Sequence, residues 1–414
     1  MNVSAPSAEP DSGGFDPLSV ALLQRIRSRA AGYDAGNLFC TDDLADLSAS
    51  GYLKALVPVS FGGLGLSLEH TGRLQRTLAA HAPATALAVN MHLVWTGVAK
   101  TLHEQDDHSL DMVLTEAAAG ELFSFGVSEP DNDLVLLDSG TRAEPQAHGG
   151  YRFTGTKVFT SLSPAWTRLG TFGRDDSDPA DPRLVWAFLD RTDAVTGRDD
   201  WNTLGMRASQ SQSTVLEGAY APAERVVRRL PVGPSADPLI LAIFQNFEIL
   251  LSTVYAGIGQ RAVELAVAAA RERTSRKNDG RARSQDPVVR WRVAEAAMSM
   301  DGLYPQIDAL ARDVDAQAPH GSAWFALASG LKTRVTDTAR SVVTQAVQIA
   351  GGSAYAADAE LGRLYRDVLA GGFHPSDSDS AHATVATRWL GPLDTPASAA
   401  HTSPASAPIE TSAP

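Results

Sequence analysis

The hydrophobic period of this chain changes twice, and nothing else in the sequence restricts its fold as tightly. From Asp16 to about Leu122 apolar residues recur at helical spacing, as in Leu18, Leu22, Leu23 and Ile26 and again from Leu74 to Thr101. From Phe123 to Val232 the pattern is that of short strands. Tyr151-Arg152-Phe153, Lys157-Val158-Phe159-Thr160 and the run from Leu184 to Leu189 are separated by Gly, Asp and Pro. From Pro238 long amphipathic segments return over 238–273, 286–317 and 321–350, with a shorter one at 378–390. The expected class is therefore an α+β multidomain chain. Its parts are an N-terminal helical domain at 15–122, a central β-barrel-like domain at 123–235 and a C-terminal four-helix bundle at 236–392. Residues 1–14 and 393–414 are rich in Ala, Ser, Pro and Thr, hold too few large apolar side chains to offset the entropy of ordering, and are expected to be disordered.

A formal net charge of −13 leaves no basic surface for a nucleic-acid backbone. The apolar runs read as broken before membrane-spanning length, so no membrane span is expected. Cys40 has no partner for an internal disulfide and reads as packing, and the N-terminus lacks the basic and apolar regions of a secretory signal. A cytoplasmic location is the expectation.

Several short motifs carry chemistry. Phe61-Gly62-Gly63-Leu64-Gly65 is a glycine turn, and Phe125-Gly126-Val127-Ser128-Glu129-Pro130 leads into the β region. Gly155-Thr156-Lys157-Val158-Phe159-Thr160-Ser161 is a strand, and Trp201-Asn202-Thr203-Leu204-Gly205-Met206-Arg207-Ala208-Ser209 a compact turn. The helix from Gly257 ends at Arg273, followed later by Gln348-Ile349-Ala350-Gly351-Gly352-Ser353-Ala354-Tyr355 and Arg366-Asp367. Taken singly, each also reads as an ordinary turn, half-buried strand or solvated helix end.

In this order and spacing the motifs resemble the acyl-CoA dehydrogenase superfamily over about residues 16–392. The resemblance implies FAD, or FMN in the oxygenating branch of the fold. Phe125, Val127 and Ser128 would meet the flavin's polar edge, Phe159 would cover the ring, and the Ser161 hydroxyl would approach N5. It also implies that Arg273 reaches the pyrophosphate of a flavin held by a neighbouring subunit, with Gln348, Gly351 and Gly352 forming the complementary turn. Arginine suits that task because its planar fork engages two phosphate oxygens at once. A homodimer or homotetramer follows.

The usual family glutamate, the base that removes an α-proton, falls by this correspondence on Pro375, which cannot take a proton. A second known position falls on Phe247, one residue from Glu248, and one residue turns a helical side chain by about 100°. His374 stands beside the vacancy, and imidazole titrates near neutrality. The leading expectation is an FAD-dependent desaturase of an acyl thioester, with His374 or Glu248 as base and an electron-transfer partner. The alternative is a two-component monooxygenase of the same fold, similar to the dibenzothiophene monooxygenase group. It would take reduced flavin from a separate reductase, with His92, Ser161 and His374 as a constellation. His92 also reads as a packed core histidine beside Met91 and Trp95. A flavin-free binding module is the third reading.

Overall fold

The structure is a computed structural model that describes residues 16–393. The disorder expected for 1–14 and for 394–414 lies outside the described residues. Five helices come first: α1 (Val20–Gly36), α2 (Thr41–Ala49), α3 (Leu68–Ala79), α4 (Pro83–His103) and α5 (Asp111–Ala119). Eight strands follow: β1 (Phe123–Gly126), β2 (Arg142–Pro145), β3 (Tyr151–Thr160), β4 (Arg168–Asp175), β5 (Arg183–Asp190), β6 (Val195–Gly197), β7 (Gln212–Ala221) and β8 (Val226–Pro231). Six helices close the chain: α6 (Pro238–Glu272), α7 (Pro287–Asp301), α8 (Tyr304–Asp315), α9 (Ala323–Ala350), α10 (Glu360–Val368) and α11 (Ser378–Leu390).

Local chemistry starts these helices where they start. Ser19, Ser67, Asp237 and Asp286 each accept a hydrogen bond from a first-turn N–H of α1, α3, α6 and α7, and Pro occupies the first turn of α6 and α7. Such a cap stabilises a helix end by about 1 kcal/mol. The expected helix over 286–317 is broken into α7 and α8. Gly302 ends the first, and Pro305, which has no N–H to donate, sits in the first turn of the second.

The strand order is β6-β7-β3-β2-β4-β5-β8, with β1 pairing in parallel with β4. This corrects the barrel expectation, because the sheet is open. Its ends are β6 and β8, three and six residues long, and closure would require a ladder between them. One edge of β4 is shared by β1, against residues 168–171, and β2, at Arg174.

α4 lies between this sheet and α6, which explains why it is buried on every side. Trp95 on α4 packs directly against β4, where a Cβ on Gly170 would come within 2.3 Å of its ring, and its indole N–H donates to Ser124 O at 3.0 Å. Phe125 on β1 stacks on Phe247 of α6 at 5.6 Å, so one aromatic contact joins sheet and bundle. α6 is long and apolar enough to cross a membrane by length and composition, contrary to the reading that apolar runs break too early, but 89% of that window is buried in the fold, mainly against α9 and α4. Cys40 is fully buried, and burial pushes its thiol up to about 12, which suits packing.

Candidate active site

The site begins with one buried ion pair. Lys157 on β3 is fully buried, and its ammonium donates to Glu129 Oε1 at 2.6 Å and Phe172 O at 2.7 Å. The same carboxylate accepts from Ser139 Oγ at 2.6 Å, Gly140 N at 2.6 Å, Thr141 N at 3.1 Å and Asn132 Nδ2 at 2.9 Å. Burial alone would raise this carboxyl, but the Lys157 charge and these donors outweigh it and bring it down to about 2. Glu129 thus fixes the 130–141 loop onto β3, and the loop borders a cleft of about 400 Å³ lined in part by Asp131, Asn132 and Thr156. Ser128, directly before it, accepts from Val158 N at 2.9 Å through its carbonyl, while its hydroxyl makes no hydrogen bond among the described residues. Val127 is buried, and Phe125 is partly buried.

A register shift between Lys157 and Thr160 puts a bulge at Phe159, whose φ is +59°. The bulge turns Phe159 out of the sheet, leaving 57% of its surface exposed, with the Trp201 ring packed edge to face against it at 6.3 Å. The chain then folds back so that Leu162 N and Ser163 N donate to Ser209 O and Gln210 O. That pairing sets three hydroxyls in a row. Ser161 Oγ lies 2.8 Å from Ser211 Oγ, which lies 2.8 Å from Ser209 Oγ. The sequence offered Ser161, whereas Ser211 and the chain of hydroxyls emerge only from the fold.

The Gly-Met-Arg turn and the Arg-Asp pair, 161 residues apart in sequence, meet face to face. Asp367 Oδ1 accepts from Met206 N at 2.6 Å, and Arg366 donates to Leu204 O and to Asp34 of α1, both at 2.8 Å. A Cβ on Gly205 would lie 2.3 Å from the Arg366 backbone, so only glycine fits. Burial raises Asp367 to about 6, although its bond from Met206 and the nearby arginines pull the other way.

On the bundle side α6 and α9 enclose the segment 371–376. Lys332 of α9, fully buried, donates to Gly371 O, His374 O and Ser376 O at 3.0, 2.9 and 2.7 Å. Glu248 of α6 accepts from Ser376 N at 3.0 Å and Ser376 Oγ at 2.8 Å, and its Oε2 has no partner among the described residues. Burial raises Glu248 to about 7 against the pull of Lys332 and Ser376. His374 Nε2 shares a 2.7 Å hydrogen bond with Tyr255 Oη, and burial together with the Lys332 charge lowers the imidazole to about 3. His374 and Glu248 are therefore held by one lysine-centred network. Lys332 and Tyr255 went unnoticed in the sequence. Lys332 falls on the buried stripe of α9 with Ala328, Val335 and Ala339, which was the available signal.

His92 does not join this group. Its Nε2 lies 2.8 Å from Leu53 O and its Nδ1 accepts from Phe123 N at 3.2 Å, so both nitrogens serve the backbone, and burial lowers it to about 4. No hydrogen bond links His92, Ser161 and His374 among the described residues. Arg273, the C-cap of α6, donates to Ala350 O and Ser353 Oγ of its own chain. Gly351, with φ +72°, has the Arg273 and Arg283 guanidinium groups close by, and Gln348 and Gly352 are exposed.

The family model for the acyl-CoA dehydrogenase C-terminal domain matches residues 239–373. L-evernosamine nitrososynthase from Micromonospora sp. is 28% identical over 364 residues, covering 86% of this chain and 85% of that protein. A dibenzothiophene monooxygenase from Rhodococcus erythropolis is 25% identical, covering 88% and 91%. A putative acyl-CoA dehydrogenase, YdbM, from Bacillus subtilis is also 25% identical, covering 87% and 92%. Among solved structures, KijD3 in complex with FMN and dTDP-3-amino-2,3,6-trideoxy-4-keto-3-methyl-D-glucose superposes with a TM-score of 0.80 at 26% identity, covering 92% of this chain and 93% of that one.

Proposed function

We propose that this chain, which belongs to the acyl-CoA dehydrogenase superfamily, is a flavin-dependent monooxygenase that oxygenates the nitrogen of a small-molecule amine. The single observation that carries the reading is the state of the carboxylate nearest the 371–376 segment. Glu248 is turned into that segment and bonded to Ser376 N and Oγ, and Pro375 stands where the superfamily's usual base would. His374, lowered to about 3 and bonded to Tyr255, is too weak a base to remove an α-proton. Oxygenation of an amine needs no such base, because the nitrogen lone pair is itself the nucleophile.

The residues present suit a flavin. Phe159 offers an exposed aromatic face, and the unpartnered Ser128 hydroxyl and the Ser161 hydroxyl offer polar contacts for a ring edge. Bound reduced flavin supplies the two electrons with which dioxygen is divided, one oxygen atom going to the amine nitrogen and the other leaving as water. Phe159 would cover the ring, and Ser161 Oγ, held by Ser211, Ser209 and through them Met206 O, would present a fixed hydroxyl to it. Tyr255 Oη and His374 Nε2 hold a proton on the bundle side. Arg273 donates from both terminal nitrogens to Ala350 O and Ser353 Oγ of its own chain, so two of its five N–H donors are not offered to a pyrophosphate, which favours FMN over FAD. The reduced flavin is supplied by a separate reductase.

Desaturation of an acyl thioester is the second reading, favoured by Glu248 itself, which burial raises to about 7 and whose Oε2 is unpartnered. Anaerobic mixing of the flavin-loaded protein with a panel of acyl-CoA thioesters separates the two. The expected result is an unchanged visible flavin spectrum. Bleaching by any thioester, lost in Glu248→Gln, would establish desaturation instead.

A further inference from the structure

The junction between α4 and α5 carries a donor set that neither the fold nor the proposed chemistry uses. His103 is the last residue of α4, His108 lies in a single 3-10 turn, and Asp111 is the first residue of α5. His103 Nδ1 lies 2.8 Å from Asp111 Oδ1, His108 Nδ1 lies 3.1 Å from Asp111 Oδ2, and the two ring nitrogens are 3.2 Å apart. Among the described residues no other trio of His, Cys, Asp or Glu side chains brings its donor atoms this close together.

We propose that His103, His108 and Asp111 bind a divalent transition-metal ion of the Zn²⁺ class. Zn²⁺ takes nitrogen and carboxylate ligands at about 2.0–2.2 Å, so neighbouring donors in a tetrahedral site stand roughly 3.3 Å apart. The donor separations need adjust by only a few tenths of an ångström around an ion. Without one the arrangement is poorly matched. If each imidazole donates its Nδ1–H to a different oxygen of the same carboxylate, two donor nitrogens face each other at 3.2 Å with no acceptor between them. A cation in the centre turns all three groups into acceptors facing one charge.

The surroundings favour it further. Phe61 packs its ring against His103 edge to face at 5.1 Å and limits its rotation. Asp106 N donates to His103 O and Asp107 N to Leu102 O, and the Asp107 side chain accepts from Ser109 N, so the connection is fixed by its own backbone. Glu104, Asp106 and Asp107 add negative charge within eight residues, opposed by Lys100 and by Arg228, which pairs with Asp107. His108 is 60% exposed in its side chain, which leaves an open position for water or for a ligand from another molecule. The N₂O donor set suits Zn²⁺, Co²⁺ or Ni²⁺ and is too poor in oxygen for Mg²⁺ or Ca²⁺. The ion would staple the end of α4, the helix that carries Trp95 onto the sheet, to α5.

The test uses the full chain without an affinity tag, stripped with a chelator and titrated with Co²⁺ and then Zn²⁺. One equivalent of Co²⁺ should bind with visible d–d absorption, Zn²⁺ should displace it, and saturating Zn²⁺ should raise the thermal midpoint. His108→Ala, an exposed change that leaves the fold intact, should weaken binding by more than about 100-fold, since loss of outer-shell partners alone costs 10–100-fold. His70→Ala, at an exposed histidine elsewhere, should change nothing. Absence of the cobalt spectrum, or binding undiminished in His108→Ala, would overturn the proposal.

Discussion

Glu129→Gln removes one charge of a pair that water does not reach. The variant keeps the size of the side chain and one acceptor oxygen, but Lys157 is left charged and fully buried with only neutral acceptors, that amide oxygen and Phe172 O. Two routes give the magnitude. Breaking a buried ion pair by removing one partner costs about 3–5 kcal/mol. Independently, lowering the Glu129 carboxyl from 4.5 to about 2 corresponds, at about 1.4 kcal/mol per unit, to roughly 3 kcal/mol of stability carried by the ionised form. With an unfolding entropy of about 2.1 cal/mol/K per residue, 3–5 kcal/mol lowers the midpoint of a chain this long by about 4–6 °C if it unfolds as a unit. Calorimetry at pH 7 measures this, and the double variant Glu129→Gln/Lys157→Met should recover part of the loss because the stranded ammonium is gone. FMN affinity should fall in the single variant as well, since Ser128 is positioned by the same loop. A shift of less than 1 °C, or a double variant less stable than the wild type by the full sum of the two single losses, would refute the reasoning.

Gly205→Ala should destabilise by more than about 4 kcal/mol, because its Cβ would meet the Arg366 backbone at 2.3 Å, and soluble yield together with the thermal midpoint reads the effect. Glu248→Gln should change stability with pH. Burial raises the folded-state Glu248 from 4.5 to about 7, so its stabilising protonated form is fully present below pH 4.5 and lost as pH rises through 7. The variant should therefore gain on the wild type by about 3 kcal/mol between pH 4.5 and 8, and a gap that stays constant with pH would contradict this. Phe159→Ala should weaken FMN binding by about tenfold, the loss of one aromatic stack of roughly 1–1.5 kcal/mol, read by flavin fluorescence. Ser211→Ala, which interrupts the hydroxyl chain, should lower the rate of oxygenation in single turnovers more than it lowers FMN affinity.

The helix and strand regions could be read from the sequence because periodicity is local: the apolar positions of α1, α4 and α9 repeat at helical spacing whatever surrounds them. Sheet closure is not local. It depends on whether β6 and β8 reach each other, and a three-residue strand carries no signal about its partner. Gly302 and Pro305 did announce the break between α7 and α8, but the apolar pattern runs through them and masks it. At the site, Phe159, Ser161, Glu248 and His374 could be named from spacing and resemblance. What they touch could not, because Ser211, Tyr255 and Lys332 come from distant segments. A lysine on an amphipathic helix ordinarily reads as solvated, and His92 looked available until the fold placed Leu53 O and Phe123 N on its two nitrogens.

The most direct test of the central claim is a single-turnover reaction of the protein with chemically reduced FMN, ¹⁸O₂ and a panel of amino-sugar nucleotides and simpler primary amines, with products followed by mass spectrometry. The account predicts a product carrying one ¹⁸O on nitrogen with at least one of these amines, dependent on the protein and diminished in Phe159→Ala. Oxidation of the flavin without label in any amine product, accompanied by turnover of an acyl thioester under anaerobic conditions, would contradict it.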